Sequence, residues 1–140
     1  MDITWISNWP TGSERGQILT IDMGGTNLRI CDVCLFAGRR DFEQIQRKYK
    51  LPDGIKTATL EGLWDFIADR LSSFLDDHHN GEPLKTPLPL AFTFSFPVNQ
   101  RSIRSGILQR WTKNFKVPGV EGNDVVTQLE AALERKVSIH

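Results

Sequence analysis

The sequence has little net charge, little cysteine and no long apolar run. Its 17 Lys and Arg residues balance 17 Asp and Glu residues, so no overall charge favours nucleic acid or an anionic membrane surface as a partner. No stretch is apolar for long enough to span a bilayer, and the first 16 residues, with Asp2 and Pro10, do not have the apolar segment of a signal peptide. We therefore expect a cytoplasmic protein with neither nucleic acid nor a membrane as its partner.

The two cysteines, Cys31 and Cys34, have the spacing of a CxxC motif, which can serve as a redox pair or as half of a zinc site. The sequence has no second cysteine pair to complete a tetrahedral metal site. In a strand, residues three positions apart point to opposite faces. We expect two buried, reduced thiols, and a redox pair is the alternative.

The length and the apolar content of 39% suit one domain with a modest core. Apolar alternation between turn residues predicts four strands, over residues 17–23, 28–36, 41–49 and 90–96. The third is rich in charge, which favours a sheet edge. Helical spacing predicts helices over residues 59–75, capped by Thr59, and 123–135. The order predicts an α/β domain with a mixed sheet flanked by helices, and we expect His78 and His79 to be solvated in a loop.

The stretch LTIDMGGTNLR, residues 19–29, places an aspartate at the end of a buried strand, before two glycines. The glycines would let the backbone turn with positive φ and approach a ligand, so that N–H groups converge on an anion. Thr26 adds a hydroxyl donor, Arg29 adds charge-assisted hydrogen bonds, and Asp22 can bind the divalent cation of a nucleotide triphosphate directly or through water. The alternative is an ordinary hairpin, since Gly-Gly is a common tight turn.

The stretch from residue 90 to residue 126 sets hydrogen-bonding side chains among aromatic residues. A hexose presents hydroxyls that donate and accept, so its pocket needs such groups fixed on apolar walls. The candidates are Ser95, Thr112 and Lys113, and Lys113 could also reach a transferring phosphoryl group. In the alternative interpretation Thr112 and Lys113 form a solvated turn, and the aromatic residues belong to the core: Phe92, Phe94, Phe96 and Trp111.

These segments resemble the hexokinase family, in the form found in fungal hexokinases and glucokinases. Three stretches occur in that family's order and spacing, from about Thr11 to Val126: TGSERGQILTIDMGGTNLRICDV, DGIKTATLEGLWDFIADRLSSFL and FTFSFPVNQRSIRSGILQRWTKNFKVPGVEGNDVV. The resemblance implies the N-terminal, small-lobe portion of an actin-like ATPase (ribonuclease H-like) fold. It implies an N-terminal segment over 1–16 and an incomplete small-lobe domain over 17–140, with the C-terminal large lobe absent.

The resemblance also implies ATP and Mg²⁺ as cofactors and phosphorylation of the 6-hydroxyl of glucose, or of fructose or mannose. The residues that it assigns to the ATP phosphates are Asp22, Met23, Gly24, Gly25, Thr26, Asn27 and Arg29. Asp22 would hold Mg²⁺ through its water shell. The residues that it assigns to the sugar are Ser95, Phe96, Thr112 and Lys113. Lys113 is also the candidate for a contact with the phosphoryl group.

Two departures from the family pattern matter. The family commonly has glycine where this chain has Asn114, and we expect a small effect because asparagine tolerates positive φ. The family's catalytic aspartate lies in an Asn-Asp-Thr segment after the second helix, which these 140 residues do not contain, and Asp124 is expected to cap a helix instead. We therefore expect these residues alone to lack kinase activity.

Two other functions are open. The first is a non-catalytic, hexokinase-like protein that binds sugar and has a regulatory role. The second is a ribonuclease H-like nuclease that uses Asp22 for metal, which requires clustered carboxylates and a basic face. The balanced charge disfavours the nuclease.

Overall fold

The computed structural model describes residues 15–36, 38, 42–79 and 88–136. Four strands in this part of the chain form one sheet: β1 (Gly16–Met23), β2 (Asn27–Leu35), β3 (Phe42–Lys50) and β4 (Leu90–Phe94). Their order is β3-β2-β1-β4, with β1 antiparallel to β2 and parallel to β4. The predicted mixed sheet is confirmed, and β3 lies at an edge as its charge predicts.

The other described elements are two helices, a small hairpin and a 3-10 helix. They are α1 (Leu60–His79), β5 (Val98–Ser102), β6 (Ser105–Leu108) and α2 (Val125–Lys136). A 3-10 helix, Asp53–Thr57, lies between β3 and α1. The sequence pattern predicts neither the β5–β6 hairpin nor the 3-10 helix, because both are too short to show a periodicity. No helix among the described residues is long and apolar enough to cross a membrane.

The core lies on one face of the sheet. The side chains of β1 and β2 that point inward are Leu19, Ile21, Met23, Leu28 and Ile30. They share one apolar cluster with the buried face of α1. Trp64 of α1 is 1% exposed, and its Nε1 donates a hydrogen bond of 2.9 Å to Oε1 of Gln128 in α2. The two helices are thereby linked, and Thr20 and Asp22 of β1 lie on the other face of the sheet.

Both helices begin at the side-chain caps that the sequence predicts. The amide of Gly62 donates to Oγ1 of Thr59 over 3.0 Å, and the amide of Val126 donates to Oδ1 of Asp124 over 2.9 Å. Each cap satisfies an amide that the first helical turn leaves unpaired. The expectation that Asp124 caps a helix is confirmed.

Asp124 also ties α2 to the hairpin, since its carboxylate accepts hydrogen bonds from Oγ of Ser105 (3.0 Å) and from the amide of Gly106 (3.2 Å). Burial opposes ionisation, but these hydrogen bonds and those from the start of α2 outweigh it and lower the pKa of Asp124. A carboxyl with a lowered folded pKa stabilises the fold above its unfolded pKa. That contribution is lost as the pH falls through the folded value.

We expect Asp124→Asn to lower the free energy of unfolding by about 1 kcal/mol at neutral pH, because a charged acceptor of several hydrogen bonds becomes neutral. The difference from the parent should shrink as the pH falls below 3.8, the ordinary value for this carboxyl. Urea unfolding at several pH values checks this, with Glu130→Gln on the exposed face of α2 as the matched control. A difference that persists unchanged at acid pH would contradict it.

Two expectations about polar side chains are corrected. His78 does not lie in a solvated loop: it is in the last turn of α1, its ring contacts Phe74 at a centroid distance of 4.2 Å, and its Nε2 is buried. This apolar contact extends the helix past its predicted end. Cys31 and Cys34 are free thiols as expected, but they are half-buried, because β2 adjoins the exposed edge strand β3. The side chain of His79 and residues 80–87 lie outside the described residues.

Candidate functional site

The predicted phosphate loop is a tight connection between β1 and β2. The amide of Gly24 donates to the carbonyl oxygen of Asn27 over 3.1 Å, which closes the turn. The carbonyl oxygen of Thr26 accepts a hydrogen bond of 3.0 Å from the amide of Leu51. Nδ2 of Asn27 donates to Oγ1 of Thr26 over 2.9 Å, so the hydroxyl hydrogen of Thr26 remains available to another acceptor.

The two glycines of this loop differ from the prediction in their backbone conformation, whereas their contact with an anion stays a prediction. The expectation of positive φ is wrong, since neither Gly24 nor Gly25 lies in the left-handed region. Gly25 is required instead by a close approach: a Cβ at this position would lie 2.7 Å from Cδ of Lys113. Within the described part of the chain, the amides of Gly25 and Thr26 donate no hydrogen bond to the protein. Both amides are therefore free to bind an anion.

Asp22 and Arg29 face each other across β1 and β2, on the sheet face opposite the core. Oδ2 of Asp22 lies 3.7 Å from Nη1 of Arg29, and the two side chains are 40% and 48% exposed, respectively. An exposed pair at this distance is weak, so the carboxylate remains available to water or a cation. The described residues contain no group of three or more His, Cys, Asp or Glu side chains that could hold a metal ion. The clustered carboxylates that the nuclease hypothesis requires are not found among them.

Lys113 connects the phosphate loop to the sugar segment. Its Nζ donates a hydrogen bond of 2.7 Å to the carbonyl oxygen of Ser95 and lies 5.0 Å from the centroid of the Phe96 ring. The amide of Ser95 in turn donates to the carbonyl oxygen of Met23, over 3.1 Å. The aliphatic part of Lys113 packs on Gly25. Two segments that are far apart in the sequence thus meet at one point.

The turn that carries Lys113 has an unusual backbone. Lys113 and Asn114 have φ values of 57° and 68°, and the amide of Phe115 donates to the carbonyl oxygen of Thr112 over 3.1 Å. Positive φ at both central residues is typical of a type I′ turn. The expected positive φ at Asn114 is confirmed. The left-handed conformation of Lys113 was not predicted, and a long side chain rarely adopts it without support from its surroundings.

Aromatic rings form a wall behind this turn. Phe96 and Trp111 meet edge to face at a centroid distance of 5.0 Å, and Trp111 stacks on Phe115 at 5.3 Å. The amide of Trp111 donates to Oε1 of Glu121 over 2.7 Å, and its Nε1 donates to the carbonyl oxygen of Val117 over 2.9 Å. The alternative interpretation is therefore correct about the aromatic packing. Thr112 and Lys113 do form a turn in which Lys113 is exposed, and the hydrogen bond from Nζ of Lys113 to the Ser95 carbonyl oxygen fixes the lysine side chain.

The sugar candidates differ in exposure. Ser95 and Lys113 are exposed and Thr112 is half-buried, whereas Phe96 is 7% exposed. Polar side-chain atoms of Ser95, Thr112 and Lys113 can therefore contact a ligand. The buried ring of Phe96 packs against the ammonium group of Lys113. A direct contact of Phe96 with sugar remains a prediction. The sequence did not predict a role for Glu121, whose Oε1 accepts the hydrogen bond from the amide of Trp111. No sequence pattern connects a carboxylate with an amide ten residues away.

Comparison with known proteins identifies the family of this chain. A family model described as hexokinase matches residues 1–139. A hexokinase of Emericella nidulans is 46% identical over 136 residues, covering 97% of this chain and 28% of that protein. A hexokinase of Kluyveromyces lactis is 50% identical over 131 residues, covering 94% of this chain and 27% of that protein.

A solved structure gives the same result. The hexokinase from Schistosoma mansoni complexed with glucose matches with a TM-score of 0.87 and 35% identity, over 100% of this chain and 31% of that one. This chain therefore spans less than a third of the length of the relatives named here. The sheet and helices described above are the N-terminal portion of the actin-like ATPase fold that these enzymes share. The chain belongs to the hexokinase family.

Proposed function

We propose that this chain supplies the phosphate loop and the sugar segment of a cytoplasmic hexokinase. The reaction is transfer of the terminal phosphoryl group of MgATP to the 6-hydroxyl of glucose, with fructose and mannose as further hexoses. The observation that carries the proposal is the packing of Lys113 on Gly25 and its hydrogen bond to Ser95. This contact sets donors suited to phosphate beside donors suited to a hexose.

The phosphate side of the site fits ATP and Mg²⁺ by its donor set. The amides of Gly25 and Thr26 and the Thr26 hydroxyl can donate to phosphate oxygens, and the exposed Asp22 carboxylate can hold Mg²⁺ through its water shell. Arg29 adds positive charge beside Asp22. MgATP, when bound, supplies the phosphoryl group and a cation that neutralises part of its charge. The remaining members of the set, Met23, Gly24 and Asn27, fix the backbone of the loop.

The sugar side orients the acceptor. Ser95 and Thr112 offer hydroxyls that both donate and accept, and Lys113 has three N–H donors, of which one is bound to Ser95. The others can reach a sugar hydroxyl and a phosphoryl oxygen, where a cation stabilises the charge of the transition state. Asp124 is not available as the proton acceptor, because its carboxylate already accepts hydrogen bonds from three groups of the fold.

The proposal is tested with the product of the native gene, in a coupled assay of hexose-dependent ADP formation. We expect turnover with glucose and an absolute requirement for Mg²⁺. The polypeptide of residues 1–140 alone is expected to give no turnover. Glucose binding by the native product without ADP formation would contradict the proposal and support a sugar-binding regulatory protein, and the absence of both would also contradict it.

A further inference from the structure

We propose that Lys56 is a positioning residue that holds Lys113 in its left-handed conformation. This inference rests on the proposed function, since it concerns the residue that would contact sugar and phosphate. Lys56 lies in the 3-10 helix Asp53–Thr57, outside both the phosphate loop and the sugar segment. Its contacts converge on the turn that carries Lys113.

Lys56 makes three contacts with that turn and the residues beside it. Its Nζ donates a hydrogen bond of 3.1 Å to the carbonyl oxygen of Lys113. Its own carbonyl oxygen accepts a hydrogen bond of 2.7 Å from the amide of Lys116, just beyond the turn. The same Nζ lies 5.4 Å from the centroid of the buried Phe115 ring, within range of a cation–π interaction. One residue thus holds the turn through its backbone and its side chain.

The turn needs such support because two consecutive residues without a glycine adopt positive φ. A long side chain in this region carries backbone strain that its surroundings must offset. If Lys113 relaxed to negative φ, its peptide carbonyl would rotate away from Lys56 and its side chain would leave Gly25. The ammonium group of Lys113 would then lose its fixed position on the Ser95 carbonyl oxygen. Lys56 therefore acts on the chemistry through Lys113.

The 3-10 helix is itself fixed to the phosphate loop. Ile55 is buried in the core, and the amide of Ile55 donates to the carbonyl oxygen of Pro52 over 3.1 Å. The preceding residue, Leu51, donates its amide to the carbonyl oxygen of Thr26. The phosphate loop is thus connected to the Lys113 turn by two routes, directly at Gly25 and indirectly through the 3-10 helix. This second connection fixes the backbone of Lys56 relative to the turn that it positions.

Lys56→Met keeps the aliphatic stem and removes the donor. We expect kcat for hexose phosphorylation to fall by about 10- to 100-fold, because a shift of the order of 1 Å in a positioned group has an effect of this size. The KM for MgATP should change less than about twofold, since the hydrogen bonds that fix the phosphate loop, from Gly24 to Asn27 and from Leu51 to Thr26, do not involve the Lys56 side chain. Lys56→Arg, which retains a cationic donor, should keep most of the activity. Lys136→Met, at an exposed lysine that ends α2, is the matched control.

A second variant separates positioning from direct substrate contact. Asn114→Gly removes the Cβ that disfavours positive φ at the centre of the turn. If Lys56 acts by holding this conformation, Asn114→Gly should restore about 3- to 10-fold of the activity lost in Lys56→Met, as expected for coupled neighbours. A double variant no better than Lys56→Met would overturn the positioning role.

Amide hydrogen exchange tests the inference independently of activity. In residues 1–140, Lys56→Met should raise the exchange rate of the Phe115 amide, which closes the turn, by about fivefold or more, since it weakens one hydrogen-bonded turn. Lys136→Met should leave it unchanged. Unchanged exchange in Lys56→Met would overturn the inference. If the native gene product proves inactive, the proposed function fails, and this readout alone still decides whether Lys56 holds the turn.

Discussion

Replacing Lys113 by alanine is expected to lower kcat for hexose phosphorylation by about 100-fold or more, the usual cost of removing one preorganised donor from a developing charge. Nζ of Lys113 is held between the Ser95 carbonyl oxygen and the Phe96 ring, so it is oriented before any ligand binds. An oriented cation needs little reorganisation during the reaction, which is why its loss should affect kcat more than KM.

Steady-state kinetics of the native gene product with glucose and MgATP measure this effect. Lys136→Ala is the control, because Lys136 is an exposed lysine at the end of α2. Thermal unfolding of both variants should be similar, since Lys113 is an exposed residue. A kcat for Lys113→Ala within about threefold of the parent would be too small for a donor of this kind and would remove Lys113 from the site.

Gly25→Ala is expected to lower kcat by about 10- to 100-fold through displacement of Lys113. The added Cβ would lie 2.7 Å from Cδ and 3.3 Å from Cβ of Lys113, and real Cβ atoms do not approach as closely as the first distance. A movement of the Lys113 ammonium end alone would not relieve the contact, because the contact includes Cβ of Lys113. It must therefore give up its hydrogen bond to the Ser95 carbonyl oxygen.

Gly54→Ala is a matched control for this substitution. A Cβ at Gly54 would meet no other atom within 4 Å, and its backbone is not in the left-handed region. Gly54→Ala should therefore leave kcat unchanged. If Gly25→Ala also left kcat unchanged, the packing of Lys113 on the phosphate loop would have no part in catalysis.

Much of the fold follows from local sequence patterns. The strands β1 to β3, both helices and the caps at Thr59 and Asp124 were predicted because each depends on residues within a few positions of one another. The family resemblance added the fold class and the two sets of site residues. The β5–β6 hairpin was missed because its strands are only five and four residues long and sit next to an aromatic segment.

What the sequence could not predict are contacts between distant residues. Gly25 was expected to adopt positive φ, whereas the feature that requires a glycine there is the side chain of Lys113, which lies far along the chain. The role of Lys56 is equally hidden, because a charged residue in a short 3-10 helix has no pattern that points to a carbonyl oxygen at position 113. Such contacts form only after the sheet and α1 have folded and have brought the loops that carry Gly25, Lys56 and Lys113 together.

The most direct test of the joined site is a double-mutant cycle between Gly25→Ala and Lys113→Ala, measured as the free energy of unfolding of residues 1–140. We predict that Gly25→Ala destabilises the parent by about 1 kcal/mol through the displaced lysine. This cost should fall by about half or more once Lys113→Ala has removed the side chain beyond Cβ, because only the 3.3 Å contact with Cβ then remains. Equal costs in both backgrounds would show that the Lys113 side chain does not require a glycine at position 25, and would contradict the proposal that the phosphate loop and the sugar segment form one site.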